Sequence, residues 1–99
     1  MKYLSWSSEK NQKLKIERNI CFEDIVDVIE TKKILAVIKN PNQNKYPNQK
    51  ILIVNINNYA YLIPYVEDEE KYFLKTIIPS RRATKKYILK NKNQQYEIL

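Results

Sequence analysis

The sequence contains no histidine, no glycine and a single cysteine. Cys21 has no second thiol with which to form a disulfide, and without histidine the chain cannot assemble a zinc cluster. The missing histidine also removes the side chain that most often acts as general acid or base near neutral pH. A glycine-rich phosphate loop is excluded because it needs glycine. We therefore expect no cofactor and no metal, and any catalysis must use other groups.

Long apolar runs are also absent. The most apolar stretch, residues 59–66, is far shorter than the roughly 20 residues that span a bilayer. The first residues lack the charged, apolar and small-residue succession of a signal peptide. We expect a cytoplasmic protein with no membrane partner. With 99 residues there is room for one core, so we expect a single domain over residues 1–90 and a flexible tail over 91–99.

Positive charge is abundant. Lysine and arginine number 18 against 11 acidic residues, which gives a net charge of +7. A domain this basic usually has an anionic ligand or an acidic partner, and nucleic acid is the first candidate. The chain has 11 asparagines, and asparagine tolerates positive φ well. We expect it to replace glycine wherever the backbone is left-handed.

Two helices are predicted in the first third of the chain. Residues 7–18 form a mostly polar helix with Ser7 or Ser8 as N-cap and Asn19 as a left-handed C-cap. The second helix is clearer, because its apolar residues recur at i, i+3, i+4 and i+7. These residues are Phe22, Ile25, Val26 and Ile29.

Strands are predicted next. The apolar run 34–38 is followed by a loop rich in proline and asparagine, 40–48. Residues 50–56 and 59–66 flank Asn57-Asn58, which suits a two-residue type I′ turn and predicts a β-hairpin. A fourth strand, 72–78, follows an acidic turn.

Pro64 and the final helix complete the predicted fold. Pro64 has no N–H for a ladder, so its strand should lie at an edge or be bulged nearby. Pro79 ends the fourth strand, and Ser80 can cap a helix with apolar residues at Ala83, Tyr87 and Ile88. We expect an α+β domain with two N-terminal helices, a four-stranded antiparallel sheet and a C-terminal basic helix, all helices on one face.

The basic residues are concentrated near the end. Residues 71–92 contain eight lysines or arginines and no acidic residue. Such a segment attracts phosphates, although a solvated face in a lysine-rich chain would look similar. Arg81 and Arg82 lie together at a strand-to-helix junction, where arginine favours a phosphate site. One guanidinium could instead pair with the acidic turn.

Other side chains favour structural roles. Tyr59, Tyr61 and Tyr65 share one strand face, where rings could stack on bases, but packing is the more common use of such a row. Cys21 has no histidine to activate it as a nucleophile. The adjacent carboxylates Glu23 and Asp24 lie on different helix faces and do not form an acid/base pair.

Three stretches resemble the BrnT family of bacterial type II toxins. Residues 6–10 (Trp-Ser-Ser-Glu-Lys) and 18–23 (Arg-Asn-Ile-Cys-Phe-Glu) are similar to the family's Trp-Asp-x-x-Lys and Lys-His-Gly-Ile/Val-Ser-Phe-Glu. Residues 76–84 (Thr-Ile-Ile-Pro-Ser-Arg-Arg-Ala-Thr) resemble Arg-Ile-Ile-Ser-Ala-Arg-x-Ala-Thr. Residues 45–49 and 73–87 look like a subgroup of small toxin-like proteins related to BrnT.

The resemblance implies a RelE-like α+β ribonuclease that blocks translation by cleaving RNA, with the ribosome as a further partner and a DNA-binding antitoxin encoded beside it. Lys10, Phe22 and Arg81 match retained motif residues. The chain departs from the motifs at four positions, of which the loss of the histidine bears most on mechanism. The family's histidine, glycine, serine and second serine fall on Arg18, Asn19, Cys21 and Pro79.

RNA cleavage needs a deprotonated 2′-hydroxyl, a stabilised phosphorane and a protonated leaving oxygen. Arginine stays charged and suits the second task, so we assign it to Arg81, with Arg18 in support. Lys10 is the candidate for proton transfer. The predicted catalytic set is Arg81, Lys10 and Arg18. The predicted RNA-binding residues are Lys75, Arg82, Lys85, Lys86 and Tyr87, of which Lys75 also supports the phosphorane and Tyr87 is a second candidate for proton transfer.

Two other functions fit the same sequence. A nucleic-acid-binding module without catalysis, or an inactive toxin homologue, would explain the missing histidine. A protein-interaction domain could instead use the basic helix to bind an acidic partner, and it would then have no affinity for nucleic acid at moderate salt.

Overall fold

A computed structural model describes residues 2–89. The order of elements is β1 (Tyr3–Trp6), α1 (Ser8–Arg18), α2 (Phe22–Glu30), β2 (Ile34–Lys39), β3 (Lys50–Ile56), β4 (Tyr59–Glu67), β5 (Lys71–Leu74), β6 (Ile78–Pro79) and α3 (Arg81–Thr84), followed by a π-helical segment (Lys85–Leu89). The predicted α+β class is confirmed. The predicted tail, 91–99, lies outside the described residues.

The sheet differs from the predicted four antiparallel strands. It has six strands in the order β1-β5-β4-β3-β2, with β6 also paired to β4. β1 was not predicted, and it pairs with β5 in parallel, so the sheet is mixed. Its only sequence signal is the alternation of Leu4 and Trp6, which is too short to identify a strand.

The caps and turns agree with the sequence. The Ser7 side chain accepts a hydrogen bond from the Lys10 N–H, and Asn19 ends α1 in the left-handed region at φ 54°. Asn57 and Asn58 have φ of 54° and 65°, as a type I′ turn requires. Within residues 2–89, four of the five left-handed residues are asparagines and the fifth is Lys32.

Pro64 explains why the predicted strand 72–78 is broken. β4 is a central strand and not an edge, and the Pro64 carbonyl accepts the Lys75 N–H at 2.8 Å. Proline has no N–H with which to return that bond, so the ladder stops there. Pairing resumes with Leu62 opposite Ile78. Between the two paired regions, the segment from β5 to β6 has one residue more than β4. The bulge required by Pro64 therefore lies opposite β4, in the segment between β5 and β6.

The prediction that all helices cover one face is wrong. β3 carries the continuous apolar run Ile51 to Val54, and alternate side chains of a strand point to opposite faces. Both faces of this strand must therefore be covered. α1 and α2 cover one face, and α3 with the π-helical segment covers the other.

The two faces carry two separate cores. The larger core joins α1, α2 and the sheet, and in α2 its members include Val28 in place of the predicted Val26, which is only half-buried. It consists of Leu14, Ile20, Phe22, Ile25, Val28, Leu52, Val54, Ile63, Tyr65, Leu74 and Ile77. The smaller core consists of Ile51, Ile53, Ala60, Ala83 and Ile88.

One exposed ion-pair network ties the start of the chain to the end of β4. The Glu67 carboxylate accepts a hydrogen bond from the Lys2 ammonium and lies 3.8 Å from Lys50 Nζ. The hydrogen bond from Lys2 is the main reason that the pKa of Glu67 lies below its ordinary value.

This network should make stability depend on pH. Because the folded state favours the ionised carboxylate, its contribution is complete above the unfolded pKa of Glu67 and is lost as pH falls through the lower folded pKa. Glu67→Gln should therefore be less stable than the wild type near pH 7, and the difference should shrink below about pH 4.3. Urea unfolding between pH 7 and pH 3 measures this, and a difference that does not change with pH would contradict it.

Candidate nucleic-acid interface

α3 begins where the sequence predicts. The Ser80 Oγ accepts a hydrogen bond from the Ala83 N–H at 3.1 Å, which confirms Ser80 as the N-cap. Ala83 is buried in the smaller core, whereas Arg81 and Arg82 are exposed. The cap and the buried alanine therefore fix the first turn so that both guanidinium groups face solvent.

Thr84 fastens this turn to the sheet. The buried Thr84 Oγ1 accepts the Ala60 N–H at 2.8 Å and donates to the Ser80 carbonyl at 2.7 Å. The Ser80 N–H donates to the Ala60 carbonyl at 3.0 Å. Both main-chain groups of Ala60 are thus bonded to the start of α3. Thr84 was not predicted to have this role, and its sequence signals are its position after Ala83 and its place at the end of the stretch 76–84 that resembles the BrnT motif.

Thr84→Val keeps the side-chain shape and removes the hydroxyl. The Ala60 N–H would then be buried without an acceptor, and we expect the free energy of unfolding to fall by about 1–3 kcal/mol. Thr84→Ser keeps the hydroxyl and serves as the control. Urea denaturation of the three proteins measures the effect, and equal stability of Thr84→Val and wild type would show that this hydrogen bond is not needed.

The exposed cations of α3 and the π-helical segment come together on one surface, which we call the basic cluster. They line a shallow depression of about 590 Å³, and among residues 2–89 no carboxylate belongs to its lining. All of these side chains are exposed. The basic cluster consists of Arg81, Arg82, Lys85 and Lys86. Four positive charges on one open surface suit a phosphate backbone, which is itself exposed and negatively charged.

Lys75 and Tyr87, the other two predicted RNA-binding residues, lie outside the lining of this depression. Tyr87 is half-buried and packs against the smaller core, with Lys86 Nζ 5.3 Å from the centre of its ring. Lys75 is exposed, and its Nζ lies 5.2 Å from the Phe73 ring. Tyr87 therefore positions Lys86 through a cation–π contact.

Arg18 lies in a different environment. It is in the last turn of α1, and its Nη1 donates to the Ile77 carbonyl at 2.6 Å. It lines a second depression, of about 310 Å³, together with Asp24, Asp27 and Tyr61. This depression was not foreseen, because residues from α2 and β4 meet there only through the tertiary fold. Arg18 thus shares its depression with two carboxylates, whereas the described lining of the basic cluster consists of arginine and lysine.

The three predicted catalytic residues come from separate parts of the fold. Lys10 is half-buried in the first turn of α1, and eight residues of helix, about 12 Å, separate it from Arg18. Arg81 belongs to α3 on the other face of the sheet. Arg18 is linked to the segment that leads into α3, because its partner Ile77 precedes Arg81 by four residues, or at most about 14 Å of chain.

The tyrosine row on β4 supports the packing interpretation. Tyr65 is a buried member of the larger core, and its ring meets Tyr72 edge-on at 5.8 Å. Tyr61 is half-buried against the same core and meets Tyr59 edge-on at 5.8 Å. Tyr65 is therefore not accessible for stacking on a base.

Cys21 and Asn11 organise the start of α2. The Asp24 carboxylate accepts the Cys21 N–H at 3.0 Å, and burial raises the pKa of the Cys21 thiol, which disfavours the reactive thiolate. The buried Asn11 accepts the Phe22 N–H at 2.7 Å and donates to Glu23 at 2.8 Å. Both residues are structural, and Asn11 had no signal in the sequence beyond lying three positions before Leu14.

The described part of the chain contains no group of three or more cysteine, aspartate or glutamate side chains able to hold a metal ion. Within the same residues, no helix is both long and apolar enough to cross a bilayer.

Comparisons with known proteins assign no family. No family model matches the chain, and searches of curated proteins and of solved structures return no match.

Proposed function

We propose that the chain is the toxin of a type II toxin–antitoxin system, a ribonuclease that inhibits translation by cleaving RNA. The observation that carries the proposal is the basic cluster, which gathers four cations on one open surface. The resemblance to BrnT motifs supplies the class of activity. The proposed partners are RNA, a DNA-binding antitoxin and the ribosome.

In this mechanism Arg81 stabilises the phosphorane formed when the 2′-hydroxyl attacks. A guanidinium provides planar donors for two phosphate oxygens and remains charged throughout. Arg82, Lys85 and Lys86 hold the flanking phosphates, and their contribution depends on salt because binding releases counterions. Arg18, in the last turn of α1, donates to the Ile77 carbonyl and supports the reaction from beside the segment that leads into α3.

Proton transfer is assigned to Lys10, with Tyr87 as the second candidate. Lys10 lies in α1, on the face of the sheet opposite the basic cluster. For Lys10 to act, the RNA must extend from the basic cluster to that face. Tyr87 needs no such path, because it adjoins Lys86 within the basic segment. Comparing cleavage by Lys10→Ala and Tyr87→Phe distinguishes the two candidates.

Growth after tightly controlled expression, in bacteria without the neighbouring gene, tests the proposal. We expect growth arrest and the accumulation of RNA fragments, and co-expression of the neighbouring gene should relieve both. Normal growth at a verified protein level, with intact RNA, would contradict a toxin.

A binding module without catalysis is the second candidate. It is favoured by the depression at the basic cluster, because neither Lys10 nor Tyr87, the two candidates for proton transfer, belongs to its described lining. This function predicts RNA affinity that falls steeply with salt, together with intact RNA after long incubation. Gel analysis of a labelled RNA in the same binding reactions separates the two functions.

A further inference from the structure

β2 is an open edge of the sheet. Within residues 2–89 it pairs with β3 alone. Three of its side chains remain substantially exposed although they are apolar: Ile34 at 41%, Val37 at 52% and Ile38 at 37%. An apolar edge strand of this kind is a template for another strand.

The hydrogen-bond register shows which groups of β2 are available. The Asn40 N–H donates to the Gln49 carbonyl, and Lys39 is opposite Lys50, so Asn40 and Gln49 form a hydrogen-bonded pair. Hydrogen-bonded and non-bonded pairs alternate along an antiparallel ladder. The N–H and C=O groups of Val37 and Lys39 therefore point away from β3, towards solvent.

An apolar groove opens beside this edge on the α2 face. Its volume is about 280 Å³, and its lining combines Ile29, near the end of α2, with side chains from β1 to β5. Ile34 and Val37 form its border at β2. The groove is lined by Leu4, Ile29, Ile34, Val37, Leu52, Tyr65, Tyr72 and Leu74.

The exposed apolar side chains lie on both faces of β2, which favours a strand as the occupant. Val37 is opposite Leu52 on the groove face, and Ile38 is opposite Ile51 on the other face. A helix laid in the groove would cover only one face. An added strand would cover both and would use the free main-chain groups.

The charged residues at the ends of β2 indicate what kind of strand would pair with it. Exposed lysines lie at both ends of β2, with Lys32 and Lys33 at its start and Lys39 at its end. Antiparallel pairing of β2 with a second copy, centred on Ala36, would bring Lys39 of each copy towards Lys33 of the other, and like charges across a ladder are destabilising. A partner with carboxylates at both ends would be complementary.

We propose that β2 takes up an additional strand from a partner protein, an extended segment of β-branched residues whose side chains alternate between the two faces of the sheet, with acidic residues at both ends. Its groove-facing side chains cover Ile34 and Val37, and the side chains on its other face cover Ile38. This surface is distinct from the basic cluster, and the inference does not depend on the proposed ribonuclease activity.

A synthetic peptide tests the proposal with the full chain. The probe is a fluorescein-labelled peptide of about ten residues, with valine and threonine alternating between terminal pairs of glutamate. We expect saturable binding by fluorescence anisotropy and weaker binding of the same peptide with lysine ends. Val37→Pro removes one outward N–H and leaves the β2–β3 ladder intact, so it should weaken binding about tenfold without lowering the unfolding midpoint appreciably.

A charge reversal gives an independent test that does not depend on proline. Lys33→Glu combined with Lys39→Glu should invert the preference, so that the lysine-ended peptide binds more tightly than the glutamate-ended one. The proposal is overturned if wild type does not bind the peptide at millimolar concentration, or if neither set of variants changes binding. It is also overturned if the wild type alone sediments as a dimer that Val37→Pro dissociates, because the occupant would then be a second copy.

Discussion

Replacing Arg81 with alanine is expected to abolish growth arrest and to slow RNA cleavage by about 10²–10³-fold. The Arg81 guanidinium is exposed in the basic cluster, and the short helix that carries it is fixed by the Ser80 cap and by the Thr84–Ala60 hydrogen bond. Its loss should therefore remove charge stabilisation at the phosphorane without disturbing the cores. Single-turnover cleavage of a labelled RNA, with growth curves at equal protein levels, measures both effects.

Arg82 provides the matched control, since it is the same residue type in the same exposed turn. Arg82→Ala should weaken RNA binding and reduce its salt dependence while leaving the cleavage rate at saturating RNA close to wild type. Arg81→Lys keeps the charge but not the planar pair of donors, and it should recover only part of the rate. Unchanged toxicity of Arg81→Ala would show that the reaction is centred elsewhere.

Phe22→Ala should have the largest effect on stability, a loss of about 3–5 kcal/mol in the free energy of unfolding. Phe22 is fully buried at the start of α2, its ring stacks on Trp6 with centroids 5.4 Å apart, and its N–H is held by Asn11. Alanine would leave a cavity at the point where β1, α1 and α2 meet, and the ring contact with Trp6 would be lost. The total free energy of unfolding of a typical domain is only about 5–15 kcal/mol. We therefore expect the variant to unfold at a much lower urea concentration than the wild type.

Ile16→Ala is the control for this second prediction. Ile16 is also apolar and helical, but it is 83% exposed on α1. Its removal should change the free energy of unfolding by no more than about 0.5 kcal/mol. Urea denaturation followed by circular dichroism compares the variants, and a loss below 1 kcal/mol for Phe22→Ala would mean that the larger core does not depend on this contact.

Local features of the fold could be predicted because each depends on a few neighbouring residues. The Asn57-Asn58 turn, the Ser80 cap and the Asn19 cap are set by backbone preferences of single residues, and all three are confirmed. β1 could not be found in this way, since four residues that pair with a strand more than sixty positions away carry little signal of their own.

Two departures from the predicted fold correspond to features of the sequence. The run from Ile51 to Val54 is apolar at every position, which indicates a strand buried on both faces and therefore helices on both sides of the sheet. Pro64 indicated an irregular ladder, yet the irregularity falls in the segment after Leu74 and not in β4 itself.

The candidate site was predictable only in part. The clustering of Arg81, Arg82, Lys85 and Lys86 follows from their spacing along one short helical stretch. The surroundings of Arg18 do not follow from the sequence, because the Ile77 carbonyl that it contacts lies 59 positions away.

The unequal size of the two cores has a consequence for how the molecule opens. α3 and the π-helical segment are held by the smaller core and by the hydrogen bonds at Ala60, whereas α1 and α2 are held by the larger one. Elements with fewer buried contacts exchange their amide hydrogens through local opening, at a lower free energy than global unfolding. The surface proposed to bind RNA is therefore carried by the part of the chain that can detach and re-form while the rest stays folded. A ligand that bridges α3 and the sheet would slow this exchange, and because it binds neither the locally opened nor the unfolded state, it would raise the free energies of local opening and of global unfolding by the same amount.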